Sequence, residues 1–318
     1  MKVLKVVEPG KFEFEERPIP EPGPNEALLR MCYCGICGSD VRLFIGEHPY
    51  ASYPRIMGNE ISARLMQIGK ETYPDCPPVT VNPYFTCGEC VACRSGKQNC
   101  CLKNQTMGVQ RDGAYAQYVV VYKEKLIYTT HPSSADAQIL ALTEPFSVAY
   151  HAIERANIQK GDRVLIFGAG PIGVFCGICA LDKGAEVNIV DPHFKKKDIA
   201  FQLGIMELVY DYYDVCIDAC GAEEAIYSSV AFAKEGGKIV LIGHTKKQII
   251  MPHPDIIKKE LTIFASRNSP RLESDQLVLI RKNVQKVITN IVPFEEVPEF
   301  FKKLVAKDGT VLKALIKF

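Results

Sequence analysis

Net charge is what this chain has least of. Its 38 Lys and Arg stand against 37 Asp and Glu, leaving a formal +1 over 318 residues. That balance gives no electrostatic footprint for nucleic acid or for an acidic membrane surface. No apolar run reaches the roughly 18 residues that a bilayer span needs, and the opening MKVLKVVEPG lacks a signal-peptide apolar segment. The expectation is a cytoplasmic protein with a small-molecule substrate, no nucleic-acid partner and no membrane. Internal repeats and low-complexity tracts are missing too, which excludes solenoids and linker-like chains. Histidine is scarce, at six residues. The short basic run Lys195 to Lys197 reads as the solvated start of a helix.

What the chain does have is apolar mass and cysteine. A 47% hydrophobic content over this length is enough for two cores. Four cysteines, Cys87, Cys90, Cys93 and Cys101, follow C-x2-C-x2-C-x7-C, with Gly88 and Gly96 in the turns between them. Four thiolates at about 2.3 Å satisfy tetrahedral Zn²⁺ and close the site to water, so its role is structural. Free core thiols or two disulfides are the alternatives, disfavoured by the spacing and by a reducing cytosol. Cys100 reads as a bystander.

The texture changes near residue 145. Before it, short β-type runs (Lys2 to Val7, Ala27 to Cys34, Val79 to Pro83, Ala116 to Val121) alternate with Pro- and Gly-rich turns. This predicts an irregular antiparallel β domain. After it, the apolar runs Val164 to Phe167, Val187 to Val190, Val215 to Asp218 and Ile239 to Ile242 alternate with helical stretches. That pattern predicts an α/β unit, a doubly wound parallel sheet. Val311 to Phe318 returns to β texture and can rejoin the first domain.

Gly168-Ala169-Gly170-Pro171-Ile172-Gly173 is a G-x-G-x-x-G between an apolar strand and an apolar helix. The first glycine permits the turn, the second lets the backbone approach a pyrophosphate, and the third lets helix and strand pack closely. The helix N-terminus offers free amides to phosphates. Asp191, at the end of the next strand, can accept hydrogen bonds from a ribose 2′-hydroxyl and repels a 2′-phosphate, which favours NAD over NADP. A Gly-rich turn in another α/β fold is the alternative.

Together these motifs resemble the zinc-dependent medium-chain dehydrogenases over nearly the whole chain. Cys34-Gly35-Ile36-Cys37-Gly38-Ser39-Asp40 looks like the stretch bearing that family's first catalytic zinc ligand, and Gly58-Asn59-Glu60 stands in the place of its Gly-His-Glu. Glu144-Pro145-Phe146-Ser147, Tyr53-Pro54-Arg55 and Ser266-Arg267-Asn268 resemble the polyol, threonine and sugar-acid branch, hexonate oxidoreductases in particular. The resemblance implies a GroES-like domain over residues 1–147 with 276–318 and a Rossmann domain over 148–275. The active site is then expected between them, and a homo-oligomer, dimer or tetramer, is expected in solution. It implies oxidation of a secondary hydroxyl of a sugar acid or polyol, with hydride passing to nicotinamide. Cys37 is then a metal ligand and Ser39 a proton-relay hydroxyl. Glu60 and Glu144 are acidic groups at the metal, and Arg267 lies beside the nicotinamide.

Three departures from the family pattern stand out. Asn59 replaces the zinc-binding histidine, and an amide oxygen is a poor Zn²⁺ ligand. Cys37, Glu60 and Glu144 are left as protein ligands, an anionic set that suits harder ions such as Mn²⁺ or Fe²⁺, and whether any metal binds there is left open. Arg42 stands where the family often has the histidine that ends the relay. Guanidinium cannot accept that proton, so Arg42 is either a partner for a substrate carboxylate or a surface residue. Finally, only Glu207 to Tyr213 separates the helix after Asp191 from the next strand, too few for a parallel crossover. The third Rossmann strand or its crossover helix is therefore expected to be missing. These departures keep a second function in play: a degenerate relative that binds NAD or a sugar acid as a sensor or structural subunit.

Overall fold

The structure, a computed structural model, describes residues 1–128, 137–270, 286–306 and 310–318. It divides into two compact units, Met1–Glu144 with Pro270–Phe318, and Pro145–Ser269. The expected domain junction at residues 275 and 276 lies outside the described residues. No helix among the described residues is long and apolar enough to cross a membrane.

In the first unit the strand Glu26–Gly35 buries Ala27, Leu29 and Met31 on one face, the two-residue period of a half-buried strand. It pairs antiparallel with Glu60–Ile68 on one side and with Lys313–Lys317 on the other. The C-terminal strand thus rejoins the N-terminal sheet, as its texture predicts. Leu4, Leu29, Leu43, Leu65, Phe301 and Ile316 are fully enclosed in the core beneath. The cost of drawing residues this distant together is offset by a sheet whose central strands are covered along their inner face.

The second unit has one sheet of five strands in the order Glu186–Val190, Arg163–Phe167, Tyr213–Asp218, Ala233–Leu241, Thr262–Ala265, every pair parallel. Val164, Leu165 and Ile166 are wholly buried, as expected of a strand covered on both faces. The strand order reverses between Arg163–Phe167 and Tyr213–Asp218, and such a switch point leaves a crevice beyond the strand ends for a ligand.

The expected loss at the sheet edge is visible. After the helix Phe194–Phe201 the chain makes a single parallel bridge to the edge strand, Asn188 with Met206. Met206 N donates to Val187 O and Ile189 N donates to Met206 O, both at 2.9 Å. Glu207 to Tyr212 then leads straight into the next strand, so the third strand survives as one residue. With no crossover helix above them, Met206, Val209 and Tyr212 stand exposed.

Candidate active site and zinc cradle

Three adjacent strands build a buried polar cluster in the first unit. Gly35 lies opposite Glu60 in one ladder and opposite Leu315 in the other. A side chain at position 35 would meet Glu60 Oε2 at 1.8 Å, so glycine is what lets the carboxylate lie against the backbone. Lys313, in the C-terminal strand, donates from Nζ to Glu60 Oε1 at 2.5 Å and to Ile36 O at 3.1 Å. Burial pushes the Glu60 carboxyl up, and the Lys313 ammonium opposes that shift. The Cys37 thiol also hydrogen-bonds Glu60.

Cys37 is the N-cap of the short helix Gly38–Phe44, and its amide donates to Asp40 Oδ2 at 2.8 Å. Tyr115 OH donates to the same oxygen at 3.2 Å. Enclosure pushes Asp40 up to about 7 and, together with the charge of Glu60, pushes the Cys37 thiol up to about 12. Glu144, in the first turn of the helix Thr143–Ala156, accepts a short hydrogen bond from Tyr84 OH. Burial, then the charge of Glu60, raises Glu144 to about 7. Asn59 is buried and its Oδ1 has no hydrogen-bond partner among the described residues. Ser39 and Arg42 lie on the helix Gly38–Phe44, both partly exposed.

Among the described residues, the four lobe cysteines are the only group of three or more Cys, His, Asp or Glu whose ligand atoms all lie within 4.8 Å of one another. Cys37, Glu60 and Glu144 cluster electrostatically but do not converge in that way. Glu60 spends its charge on Lys313, Glu144 is turned to Tyr84, and Asn59 supplies an amide in place of an imidazole. As arranged, this donor set does not fit a catalytic Zn²⁺.

The lobe does fit Zn²⁺. Cys87 Sγ lies 3.5 Å from Cys101 Sγ and 4.0 Å from Cys93 Sγ. A tetrahedron with Zn–S near 2.3 Å asks for roughly 3.8 Å. Gly88 at φ 73° and Gly96 at φ 75° make the turns that bring the sulfurs together. Cys90 N donates to Cys87 Sγ and Cys87 N to Cys101 Sγ, each at 3.4 Å. The Cys93 amide draws the Cys90 thiol down to about 6, favouring its thiolate, whereas burial pushes the Cys93 thiol up to about 12, so that one must lose its proton to a metal. Cys100 is exposed and outside the group.

In the second unit Gly168 takes φ 102° directly after the strand Arg163–Phe167, and Gly170 caps the helix Pro171–Asp182, with Pro171 at its first position. A Cβ at Gly173 would meet Gly168 O at 1.9 Å, whereas one at Gly170 would enter open space. The third glycine is thus fixed by packing and the second faces outward, with Ile172 following in the first helical turn. Asp191 Oδ2 accepts from Ala169 N and its Oδ1 from His193 N, both at 2.8 Å. The loop and the acidic residue are therefore one hydrogen-bonded unit. Ser266 is buried in this unit, with Arg267 next to it in sequence.

Sequence reasoning gave no role to Lys313, Tyr84, Asp40 or Tyr115. Lys313 carried a signal, a lone charge in the apolar run Val311, Leu312, Ala314, Leu315, Ile316. Tyr84 carried none beyond its nearness to the first zinc cysteine.

A GroES-like β unit with a zinc cradle and a second unit with a dinucleotide-binding turn, on one chain, define the zinc-type alcohol dehydrogenase class. Residues 23–131 match the alcohol dehydrogenase GroES-like domain, and residues 171–279 match the zinc-binding dehydrogenase family. The chain is 31% identical to L-galactonate-5-dehydrogenase of Escherichia coli strain K12 over 340 positions, covering 100% of this chain and 99% of that one. Since 340 positions exceed this chain's 318 residues by 22, at least that many residues of the relative lack a counterpart here. A short chain alcohol dehydrogenase of E. coli CFT073, solved with NADH, superimposes with a TM-score of 0.91 at 25% identity, covering 100% and 99% of the two chains. A putative zinc-binding dehydrogenase of Sinorhizobium meliloti 1021, bound to NADP, gives 0.89 at 25%, with the same coverage. This chain belongs to the zinc-binding alcohol dehydrogenase family of medium-chain dehydrogenases.

Proposed function

We propose that this protein oxidises a secondary hydroxyl of a sugar acid or polyol with NAD. The observation that carries the reading is the Asp191–Ala169 hydrogen bond, which joins a ribose-reading carboxylate to the phosphate-binding turn. NAD is favoured because Asp191 would repel a 2′-phosphate, although the Sinorhizobium structure was solved with NADP. The sugar-acid class is supported by the 31% identity to L-galactonate-5-dehydrogenase.

The reaction moves a hydride from the carbinol carbon to the nicotinamide and a proton from the hydroxyl to a base, leaving a ketone and NADH. Glu144, raised to about 7 and oriented by Tyr84, is proposed to take the proton. Ser39 passes it outward, Arg267 flanks the nicotinamide, and Arg42 pairs with the substrate carboxylate. Lys313 holds Glu60 and thereby the loop before Cys37. Zinc bound by Cys87, Cys90, Cys93 and Cys101 supplies structure, not chemistry. The same reading assigns the protein to the cytoplasm, where its 13 cysteines stay reduced, and to a homo-oligomer.

Asn59 favours a second reading, in which the protein binds NAD or a sugar acid with little turnover. Assaying NADH formation over hexonates, polyols and threonine, alongside calorimetric binding of the same ligands, separates the two. Turnover supports the first reading, and binding without turnover supports the second.

A further inference from the structure

Tyr84 and Phe85 form a two-residue strand, so their rings leave the backbone on opposite sides. Tyr84 faces Glu144, whereas Phe85 lines an open cavity of about 330 Å³ with Gln105, Arg111, Tyr122, Glu124 and Lys125. Two cations rest on the Phe85 ring. The Arg111 guanidinium lies 4.2 Å from its centroid and the Lys125 ammonium 4.9 Å.

Neither cation has a carboxylate partner among the described residues. Among the described residues the Arg111 guanidinium donates only to Gln105 Oε1, at 3.5 Å, out of five available N–H groups. Lys125 donates to Tyr84 O at 2.7 Å, which uses one of its three protons. Among the described residues no carboxylate forms an ion pair with either, although Glu124 lies in the same cavity wall. Lys103, also at the rim, is committed elsewhere: it pairs with Glu89 at 2.8 Å and faces the thiols of Cys87 and Cys101. Burial lowers the pKa of Lys125, Glu124 opposes that, and Arg111 adds like-charge repulsion. An anion in this cavity would offset the repulsion and offer acceptors to both cations in place of water.

We propose that this cavity is a binding site for a small oxyanion, a carboxylate or phosphate group taken by the Arg111 guanidinium and the Lys125 ammonium that line it. Planar guanidinium and three-donor ammonium suit either group, and contact with the Phe85 ring holds the two cations in place. The site is separate from the Tyr84–Glu144 cluster yet shares a wall with it, because Lys125 grips the Tyr84 carbonyl that sets that residue's position. The inference does not depend on which hydroxyl is oxidised, or on whether one is.

The test is calorimetric titration of the zinc-loaded full chain at low ionic strength with inorganic phosphate and, separately, citrate. At least one should bind saturably, and the stronger of the two identifies the group preferred. Arg111→Gln should weaken that binding about 10-fold or more, and Arg111→Lys should recover part of it. Lys125→Gln gives the second reading, with thermal melts reporting the fold of each variant. The proposal is overturned if neither anion saturates below about 10 mM. It is equally overturned if both glutamine variants bind like the wild type, since the signal would then belong to the glycine turn.

Discussion

Lys313 and Glu60 pair inside the first unit, 253 residues apart in sequence, with side chains only 3% and 1% exposed. The order of three strands brings them together: Glu60 opens one, Gly35 ends the next, and Lys313 begins the third. Breaking such a pair from one side strands a buried charge. Lys313→Met should cost about 3–5 kcal/mol of stability, and Lys313→Met with Glu60→Leu distinctly less. The loss should shrink as pH falls toward the ordinary carboxylate value of 4.5, because burial already raises Glu60 and a proton can replace the ammonium. Urea unfolding of the two variants across pH checks this. A double variant no more stable than the single one would contradict it.

This pair also marks where the sequence stops being legible. The four-cysteine spacing, the glycine turn and Asp191 are local patterns, each fixed by a chemistry that demands its residues a few positions apart. The fold class followed from hydrophobic period, and the shortened sheet from the few residues, Glu207 to Tyr213, ahead of the strand at Val215. Lys313 and Glu60 depend on strand order, which no local pattern encodes. Tyr84 points at Glu144 across 60 residues for the same reason. Sequence could name Cys37, Glu60 and Glu144 as neighbours, but not that Lys313 and Tyr84 would claim the two carboxylates.

The metal content should be one Zn²⁺ per chain, held by the lobe. Cys93→Ser should lower it and destabilise the protein, since structural zinc contributes directly to folding. Asn59→His puts an imidazole next to Glu60 in the chain and should raise the content from one toward two. Elemental analysis of purified protein decides both. Two zinc ions in the wild type, or an unchanged content in a folded Asn59→His variant, would contradict the assignment.

Asp191 should set the cofactor preference. Asp191→Ala removes the proposed ribose acceptor along with the bonds from Ala169 and His193, each 2.8 Å. Loss of a charge-assisted hydrogen bond costs about 1.5–3 kcal/mol, so NAD should bind roughly 10- to 150-fold more weakly. NADP binding should change less, narrowing the gap between the two. Equal losses for both cofactors in a fluorescence titration would argue for a purely structural role.

Arg42 discriminates between substrates if it reads a carboxylate. Arg42→Ala should raise KM for a hexonate by roughly 10- to 150-fold and leave a neutral polyol nearly unaffected. A proton-relay defect would instead lower kcat for both alike. Equal effects on the two substrates would return Arg42 to an ordinary place on its helix.

The central claim is tested most directly by following NADH absorbance while the purified, zinc-loaded protein is offered NAD with hexonates, polyols and threonine in turn. The account predicts turnover on at least one hexonate or polyol, with NAD preferred to NADP, and a large fall in kcat for Glu144→Gln in a protein that still binds NAD. No NADH formation from any of them, in a protein that binds NAD and holds its zinc, would contradict it.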